Sequence, residues 1–331
     1  MCEKLCNWQE NPRNFNAKFI FRDAISAGCF GTLRAASGAF MRNFQRSAVL
    51  AAFVACSVLA VAQQSPQLYI SSEGQSSLQL LDLNTSTLTT LFEIGAKPDD
   101  LTLNAAGQLI YSVPNSGTVN LYDPTTGANT TLVSGIGGVR DLTIEPGGQS
   151  MLIAKYAAPG EIVRYNFATG TTTVLVGKAA KVKTMDGIAY DGYGNLYAVA
   201  NHNTIIQVDP VAGTILATLV LEPHLGVNGG DGLTYDSYTN SLWATHDGKT
   251  GKGLLQISVS PSGFTSTTSS DFTYFPFTKI ASVDGIKSDG KGNLYIGALW
   301  SALVYNIPTG AITKNIVVKG ADGVSLVPGT Y

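Results

Sequence analysis

Cysteine is missing from most of this chain. Cys2, Cys6, Cys29 and Cys56 are its four cysteines, and all of them precede residue 62. A disulfide framework is therefore excluded from the remainder, and no second pair follows Cys2 and Cys6 to complete a zinc site. The roughly 269 residues after Ala62 must be held by their own packing, and a chain of this length can bury a large core.

Charged residues are also scarce, and basic ones most of all. Asp, Glu, Lys and Arg make up 13% of the sequence. After residue 62 there are 14 Lys and Arg residues against 20 Asp and Glu residues, a net charge near −6. Because phosphate backbones require a basic face, this balance argues against nucleic acid, and we expect no nucleic-acid partner.

Recognisable catalytic motifs and long helical patterns are absent as well. The sequence contains no Gly-x-Ser-x-Gly elbow and no His-Glu-x-x-His pair. No segment after residue 62 has the apolar spacing of a helix longer than one turn. The sequence by itself therefore does not prove an enzyme.

The N-terminal region has the pattern of an export signal. Arg42 and Arg46 precede an apolar run from Ala48 to Val61, and small residues end it at Ala62. We predict a secretory signal peptide over 41–62, cleaved near Ala62, and a secreted or periplasmic product. The run is too short for a comfortable membrane span, so none is expected in the mature protein. Residues 1–40 are predicted to be an unstructured leader or the result of a start codon assigned too far upstream.

A short segment built on Asp-Gly and alternating apolar residues occurs six times, counting close variants. The residues that open the six copies are Asp99, Arg140, Asp186, Asp231, Asp284 and Asp322. The steps between them are 41, 46, 45, 53 and 38 residues, which is the repeat length of β-propeller blades.

Each repeat contains four strand-like runs separated by turn residues. In the copy that starts at Asp186, alternating runs cover 186–190, 196–200, 204–208 and 214–221. Residues 67–94 supply only three such runs, and the C-terminus supplies one, 322–327. Together they complete a sixth blade, so we predict an all-β, six-bladed propeller over 63–331 that is closed by pairing its two ends. The aromatic residues of the second strands are predicted to pack between blades; they are Tyr69, Tyr111, Tyr197, Trp243 and Tyr295.

This topology predicts that the six repeat openings form a ring at one mouth of the central channel. Crowded carboxylates must protonate or bind a cation, and Arg140 can neutralise only part of their charge. An all-oxygen site favours calcium, magnesium or manganese. A purely architectural role is the alternative, because Asp before Gly readily accepts backbone hydrogen bonds at a turn.

A second ring is expected where the second strands end on the same face. It comprises Glu73, Asn115, Lys155, Tyr156, Asn201, His202, His246, Asp247 and Trp300. The three histidines of the chain, His202, His224 and His246, all fall in segments assigned to this face. Each is a candidate acid or base, although exposed loop histidines are common. Residues 246–253 are rich in Gly and Lys and are predicted to be a mobile loop.

The Asp-Gly-Ile/Leu strand starts and the Asp-x-x-Gly-Asn-Leu-Tyr turns resemble the senescence-marker-protein/gluconolactonase family. The resemblance covers roughly 67–328, and its motifs are shared with NHL-type and virginiamycin-B-lyase-like propellers. It implies a divalent metal, with calcium first, held by Asp186, Asp231 and Asp322. The family's Glu-Gly-Pro and Asn-Gly strand starts are not found here, and Arg140 stands where a further ligand is expected.

These observations give a leading hypothesis of metal-dependent hydrolysis of a lactone or related ester at the channel mouth. Its candidate catalytic groups are Asp284, His202 and His246, and its candidate substrate contacts are Arg140, Asn201 and Trp300. The rival hypothesis is a non-catalytic propeller that binds an envelope protein, peptide or glycan. A virginiamycin-type lyase is a third. A lactone or sugar-like ligand and a monomeric state are expected.

Overall fold

The computed structural model describes residues 65–221, 231–248, 251–265 and 272–331, which fold into six four-stranded blades around a central channel. All described strands lie within the unit 63–331. The leader and signal peptide predicted for 1–62 fall outside the described residues, as does His224. Within the described segments, helix is limited to one turn of 3-10 helix at Lys178–Ala180, and no helix is long and apolar enough to cross a bilayer.

The blades are numbered here by the order of their inner strands along the chain, and each is given from its inner to its outer strand. Blade I contains β4 (Leu101–Leu103), β5 (Leu109–Val113), β6 (Thr118–Tyr122) and β7 (Asn129–Val133). Blade II contains β8 (Val139–Ile144), β9 (Ser150–Lys155), β10 (Glu161–Asn166) and β11 (Thr171–Val176). Blade III contains β12 (Met185–Tyr190), β13 (Leu196–Ala200), β14 (Thr204–Val208) and β15 (Ile215–Val220).

The remaining three blades complete the circle. Blade IV contains β16 (Leu233–Asp236), β17 (Ser241–Gly248), β18 (Gly251–Ser260) and β20 (Phe272–Phe277), and the short β19 (Gly263–Phe264) also pairs with β18. Blade V contains β21 (Ile286–Ser288), β22 (Asn293–Ala298), β23 (Ser301–Asn306) and β24 (Ala311–Val317). Blade VI contains β25 (Ala321–Leu326), β1 (Gln67–Ser72), β2 (Ser77–Asp82) and β3 (Thr87–Glu93). The predicted six-bladed, antiparallel, all-β fold is confirmed.

Blade VI joins the two ends of the chain, as predicted. The C-terminal strand β25 is its inner strand and pairs antiparallel with β1, with Leu68 opposite Leu326 and Ile70 opposite Val324. Beyond this strand the Tyr331 hydroxyl donates a hydrogen bond to the Gln67 carbonyl (2.6 Å). The pairing leaves no open seam between the first and last blades, which removes two sheet edges from solvent.

The hydrophobic core consists of six clusters, one between each pair of neighbouring blades. Second-strand aromatics fill several of them: Trp243 and Tyr197 are completely buried and Tyr111 nearly so. Tyr295 packs against blade VI, and Tyr69 packs at the edge of the cluster between blades VI and I. Their predicted role in blade-to-blade packing is confirmed.

Glycine allows the inner strands of neighbouring blades to approach each other at the channel. A Cβ added to Gly187 would lie 2.4 Å from the Asp231 carbonyl oxygen, and the Gly187 N–H donates a hydrogen bond to that same oxygen (2.8 Å). Equivalent close approaches occur at Gly232, Gly285 and Gly323. The Gly of the repeat is therefore needed for close contact between blades, which is one established reason for Gly inside a strand.

One local prediction was wrong. Residues 246–253, predicted to be a mobile loop, mostly extend the hairpin formed by β17 and β18. Its ladder pairs His246 with Gly253 and Asp247 with Lys252. The charges of Asp247 and Lys252 also form an ion pair, so the segment has both backbone and side-chain reasons to continue as strand.

Candidate functional site

The six repeat openings meet at one mouth of the channel, and we call them the acidic ring: Asp99, Arg140, Asp186, Asp231, Asp284 and Asp322. The five carboxylates line one cavity, whose volume of about 10 Å³ is close to the space that one water molecule or ion requires. The Arg140 guanidinium forms an ion pair with Asp99 on the same side of the mouth. The structure therefore brings together residues separated by up to 223 positions in the sequence.

Irregular strand pairing helps to turn these side chains toward the channel axis. The register between first and second strands shifts between Val139 and Leu142 in blade II and between Met185 and Ile188 in blade III. A similar shift affects the β1–β25 pair of blade VI. Bulges of this kind re-aim side chains and are common beside functional sites.

The pattern of hydrogen bonds argues against a purely architectural role for the acidic ring. Asp100 and Asp141, which replace the repeat Gly in blades I and II, accept backbone N–H bonds from the next blade: Leu142 N–H to Asp100 (3.0 Å) and Ile188 N–H to Asp141 (2.6 Å). Within the described residues, the carboxylates of Asp186, Asp231, Asp284 and Asp322 accept no backbone hydrogen bond. An architectural Asp would accept such bonds, so the turn-residue explanation fits Asp100 and Asp141 but not the ring.

Burial, and then repulsion between neighbouring carboxylates, raises the pKa values of these carboxyl groups. Burial is the largest cause that raises the pKa of Asp99 to about 6, with Arg140 opposing it. The pKa values of Asp186 and Asp284 are raised well above 3.8, first by burial and then by the charge of Asp231. The pKa of Asp231 is raised by burial, while His202 and Arg140 oppose the change. The seven carboxyl groups that line the cavity outnumber the Arg140 guanidinium and the Lys287 ammonium group, so they cannot all be ionised without a further cation.

Asp284 and Asp322 form a carboxyl pair within the ring. Their side chains are hydrogen-bonded to each other, and this bond lowers the pKa of Asp284 while it raises that of Asp322. Burial is nevertheless the largest cause for both groups, and both pKa values lie well above the ordinary value. Burial therefore favours a form of the pair that retains a proton.

His202 lies next to the ring on the turn between β13 and β14. One ligand atom from each of Asp186, Asp231 and His202 lies within 4.8 Å of the other two. Asn201 and His202 both have positive φ angles, 54° and 64°, a conformation that is uncommon outside Gly and often found at functional sites. Two carboxylates and an imidazole at this separation are a ligand set suited to a divalent metal.

Tyr156 connects His202 to Arg140. The Tyr156 hydroxyl and His202 Nε2 are hydrogen-bonded (2.8 Å), and the Arg140 Cζ lies 4.9 Å from the centre of the tyrosine ring. Burial and the charge of Asp186 raise the pKa of Tyr156. Asp99, Arg140, Tyr156 and His202 thus form one continuous polar chain along the mouth. Tyr156 was expected in the second ring, but nothing in its sequence position indicated this link.

The remaining three predicted site residues do not line the cavity of the acidic ring. His246 is fully buried in β17, with the edge of its ring against Tyr274 (5.4 Å between centroids). Asn201 is exposed, and its side-chain oxygen accepts a hydrogen bond from the Lys183 N–H (2.9 Å). Trp300 is 55% exposed. The catalytic and substrate-binding roles of these three residues stay predictions.

The sequence did not lead us to expect a second charged layer, formed by Asp100, Asp141 and Lys287, which line the same cavity as the acidic ring. Lys287 Nζ lies 3.8 Å from carboxylate oxygens of both Asp100 and Asp141, so charges from blades I, II and V meet inside the channel. The available signal was the departure of Asp100 and Asp141 from the repeat Gly, together with Lys287 at a position occupied by smaller residues in the other blades.

Comparison with known proteins identifies the fold of this chain but not a family. No family model and no curated protein sequence matches this chain. A chain from the crystal structure of a nidogen/laminin complex is similar with a TM-score of 0.64 and 14% identity, covering 80% of this chain and 99% of that one. Virginiamycin B lyase from Staphylococcus aureus gives 0.53 and 16%, covering 78% and 86%. TolB from Acinetobacter baumannii gives 0.59 and 12%, covering 86% and 73%. At these identities the similarity establishes that the chain is a β-propeller.

Proposed function

We propose that the acidic ring binds a divalent metal and that the mouth above it hydrolyses a lactone or related ester. The observation that carries this proposal is the convergence of Asp186, Asp231 and His202 in a mouth where carboxylates outnumber cations. The similarity of the repeat motifs to the gluconolactonase family supports the substrate class. Export after cleavage near Ala62 is part of the same proposal.

The residues fit a small hard or borderline cation. Asp186 and Asp231 would supply oxygen ligands and His202 would supply a nitrogen ligand. With His202 included, the set suits manganese or zinc, whereas carboxylates alone suit calcium or magnesium. Asp322, predicted as a ligand, lines the same cavity but is hydrogen-bonded to Asp284.

Hydrolysis of a lactone requires one group that takes a proton from water and one that returns a proton to the departing ring oxygen. A metal at this site would supply Lewis-acid polarisation of the carbonyl oxygen. In this proposal the pair of Asp284 and Asp322 carries one proton, with Asp284 as the base and Asp322 as the acid. Arg140, which contacts Asp99 and the Tyr156 ring, would bind an oxygen of the substrate.

A binding propeller is the second candidate. The cavity at the ring has room for an ion but not for substrate atoms, so any larger ligand must lie above it. The similarity to a chain of the nidogen/laminin complex extends over 99% of that chain and supports a protein-binding role as the alternative. In that case the metal would order the surface without taking part in a reaction.

Metal content and hydrolysis, measured on the same preparations, separate these candidates. The full chain is expressed and purified after processing, its N-terminus is determined, and bound metals are quantified. Release of hydroxy acid from γ- and δ-lactones is then followed with and without chelator. We expect about one metal per chain, chelator-sensitive hydrolysis, and loss of both in Asp186→Asn and Asp231→Asn. Asp209→Asn is the matched control, because Asp209 caps a turn by accepting the Val211 and Ala212 N–H groups (both 2.8 Å) outside the mouth.

Each outcome bears on a different part of the proposal. Metal without hydrolysis of any lactone favours the binding propeller. A folded protein without metal, even after incubation with manganese, zinc or calcium, overturns the metal site. Hydrolysis that survives both substitutions at Asp186 and Asp231 places the reaction elsewhere.

A further inference from the structure

The end of the channel opposite the acidic ring opens into a larger cavity. Its volume is about 330 Å³, and the inner strands of all six blades line it. That volume lies within the range of about 300–1,000 Å³ typical of small-ligand sites. Four residues of extended strand separate Asp186 from Tyr190 at this far end, a distance of about 13 Å.

The wall of this far cavity is rich in hydroxyl groups. The strand position three residues after each member of the acidic ring faces the channel, and we call four of these residues the hydroxyl ring: Thr102, Thr143, Thr234 and Ser325. Within the described part of the chain, their hydroxyl groups make no hydrogen bond to another protein group. Each can therefore donate and accept hydrogen bonds with a molecule in the cavity.

Two tyrosines add flat apolar surfaces. The Tyr190 hydroxyl donates to Glu145 (2.8 Å) and the Tyr235 hydroxyl donates to Asn240 (2.8 Å). With their polar ends occupied in this way, the rings that line the cavity offer mainly carbon faces. Hydroxyl groups next to aromatic carbon match a molecule that has both hydroxyls and C–H faces.

Charge in the far cavity is limited to one partly compensated cation. Lys287 lies at its inner end and is paired with Asp100 and Asp141 (both 3.8 Å). Two carboxylates next to the ammonium group disfavour a strongly anionic ligand, and among the described residues no carboxylate lines the far cavity itself to attract a cation.

From these observations we propose that the far cavity binds a neutral polyhydroxylated molecule of monosaccharide size. The site lies at the other end of the channel from the acidic ring and does not depend on a metal. It is therefore separate from the proposed hydrolytic function.

Saturation-transfer NMR and calorimetry with glucose, galactose and mannose test the proposal on the full processed protein. We expect at least one of these sugars to bind with a Kd of about 1 mM or lower. Thr143→Met, which fills the cavity, should weaken that sugar at least about tenfold. Thr143→Val, which keeps the shape and removes the hydroxyl, should weaken it by a smaller factor. Thr172→Met, at an exposed position of the outer strand β11, is the matched control and should bind as the unmodified protein does.

Chelator and Asp231→Asn should leave sugar binding unchanged, so failure here is distinguishable from failure of the metal site. The proposal is overturned if none of the three sugars binds, or if binding is the same in a folded Thr143→Met protein. Binding of glucuronate alone would also overturn it, because that result would make Lys287 rather than the hydroxyl ring the determinant.

Discussion

Replacing Asp284 by Asn should flatten the pH dependence of folding stability. In the folded protein, burial and the charge of Asp231 raise the pKa of Asp284 well above 3.8, whereas in the unfolded chain it titrates near its ordinary value. A group whose folded pKa is raised contributes stability at low pH, and that contribution is lost as pH rises toward the folded pKa. Wherever the pH lies between those two pKa values, the unfolded Asp284 is ionised while the folded pair with Asp322 retains its proton.

The size of the effect follows from proton counting. Each proton retained only by the folded state costs about 1.4 kcal/mol of unfolding free energy per pH unit. Removing one such proton site should therefore reduce the fall in stability between pH 5 and 7 by up to about 3 kcal/mol. Asp99, with a pKa of about 6, contributes in the same direction up to about pH 6 and is unchanged in the variant.

The measurement is urea unfolding at pH 5, 6 and 7 in chelator, comparing the Asp284→Asn protein with the unmodified one. Taking the difference between the two proteins cancels contributions from groups that do not interact with Asp284, including the buried His246. Asp209→Asn should leave the slope unchanged, because backbone hydrogen bonds lower the pKa of Asp209 and it is ionised throughout this range. Equal slopes for the Asp284→Asn and unmodified proteins would refute the idea that the mouth retains protons. Saturating metal should reduce the slope in the unmodified protein, since a bound cation favours the ionised carboxylates.

Two further substitutions test the contacts that hold the ring together. Gly187→Ala places a Cβ 2.4 Å from the Asp231 carbonyl oxygen. It should lower the free energy of unfolding by about 3 kcal/mol, which corresponds to a fall in Tm of about 6–12 °C by calorimetry. Gly137→Ala is the control, because nothing lies within 4 Å of its added Cβ, and equal effects of the two substitutions would contradict the close approach of blades. Lys287→Met leaves Asp100 and Asp141 without their cation and should cost about 3 kcal/mol at pH 8. Because burial raises the pKa of Asp141, this loss should shrink at pH 5, where the carboxyl can protonate; a loss independent of pH would show that packing alone is responsible.

Much of the fold was predictable because the repeat carries its own strand pattern. The predicted runs 186–190, 196–200, 204–208 and 214–221 match β12 to β15 within one residue at each end. Closure followed from counting three runs at one end of the chain and one at the other. Spacing of this kind depends only on local alternation and turn residues, which the sequence displays directly.

The second ring was less predictable because it depends on where each second strand ends. β17 continues to Gly248, so His246 lies inside a paired strand instead of at its end. Side chains alternate between the two faces of a strand, and there the ring of His246 contacts Tyr274 of the same blade. Asp247, on the opposite face, forms an ion pair with Lys252 and accepts a hydrogen bond from the Ser282 hydroxyl. The link from Tyr156 to His202 joins blades II and III across 46 residues, and no local pattern reports such a contact.

The acidic ring and the second charged layer contribute differently to folding. This difference indicates a reason for the carboxylates of the acidic ring. Asp100 and Asp141 stabilise neighbouring blades through backbone hydrogen bonds, and Lys287 balances part of their charge. The carboxylates of Asp186 and Asp284 accept no backbone hydrogen bond among the described residues, and they raise the electrostatic cost of closing the channel. Because Gly187 and Gly285 already provide the close approach of blades III and V to their neighbours, the fold gains nothing evident from the carboxylates beside them. Carboxylates that destabilise the fold and have no structural role are expected at a binding site. A cation that binds the folded protein there would offset this destabilisation by mass action.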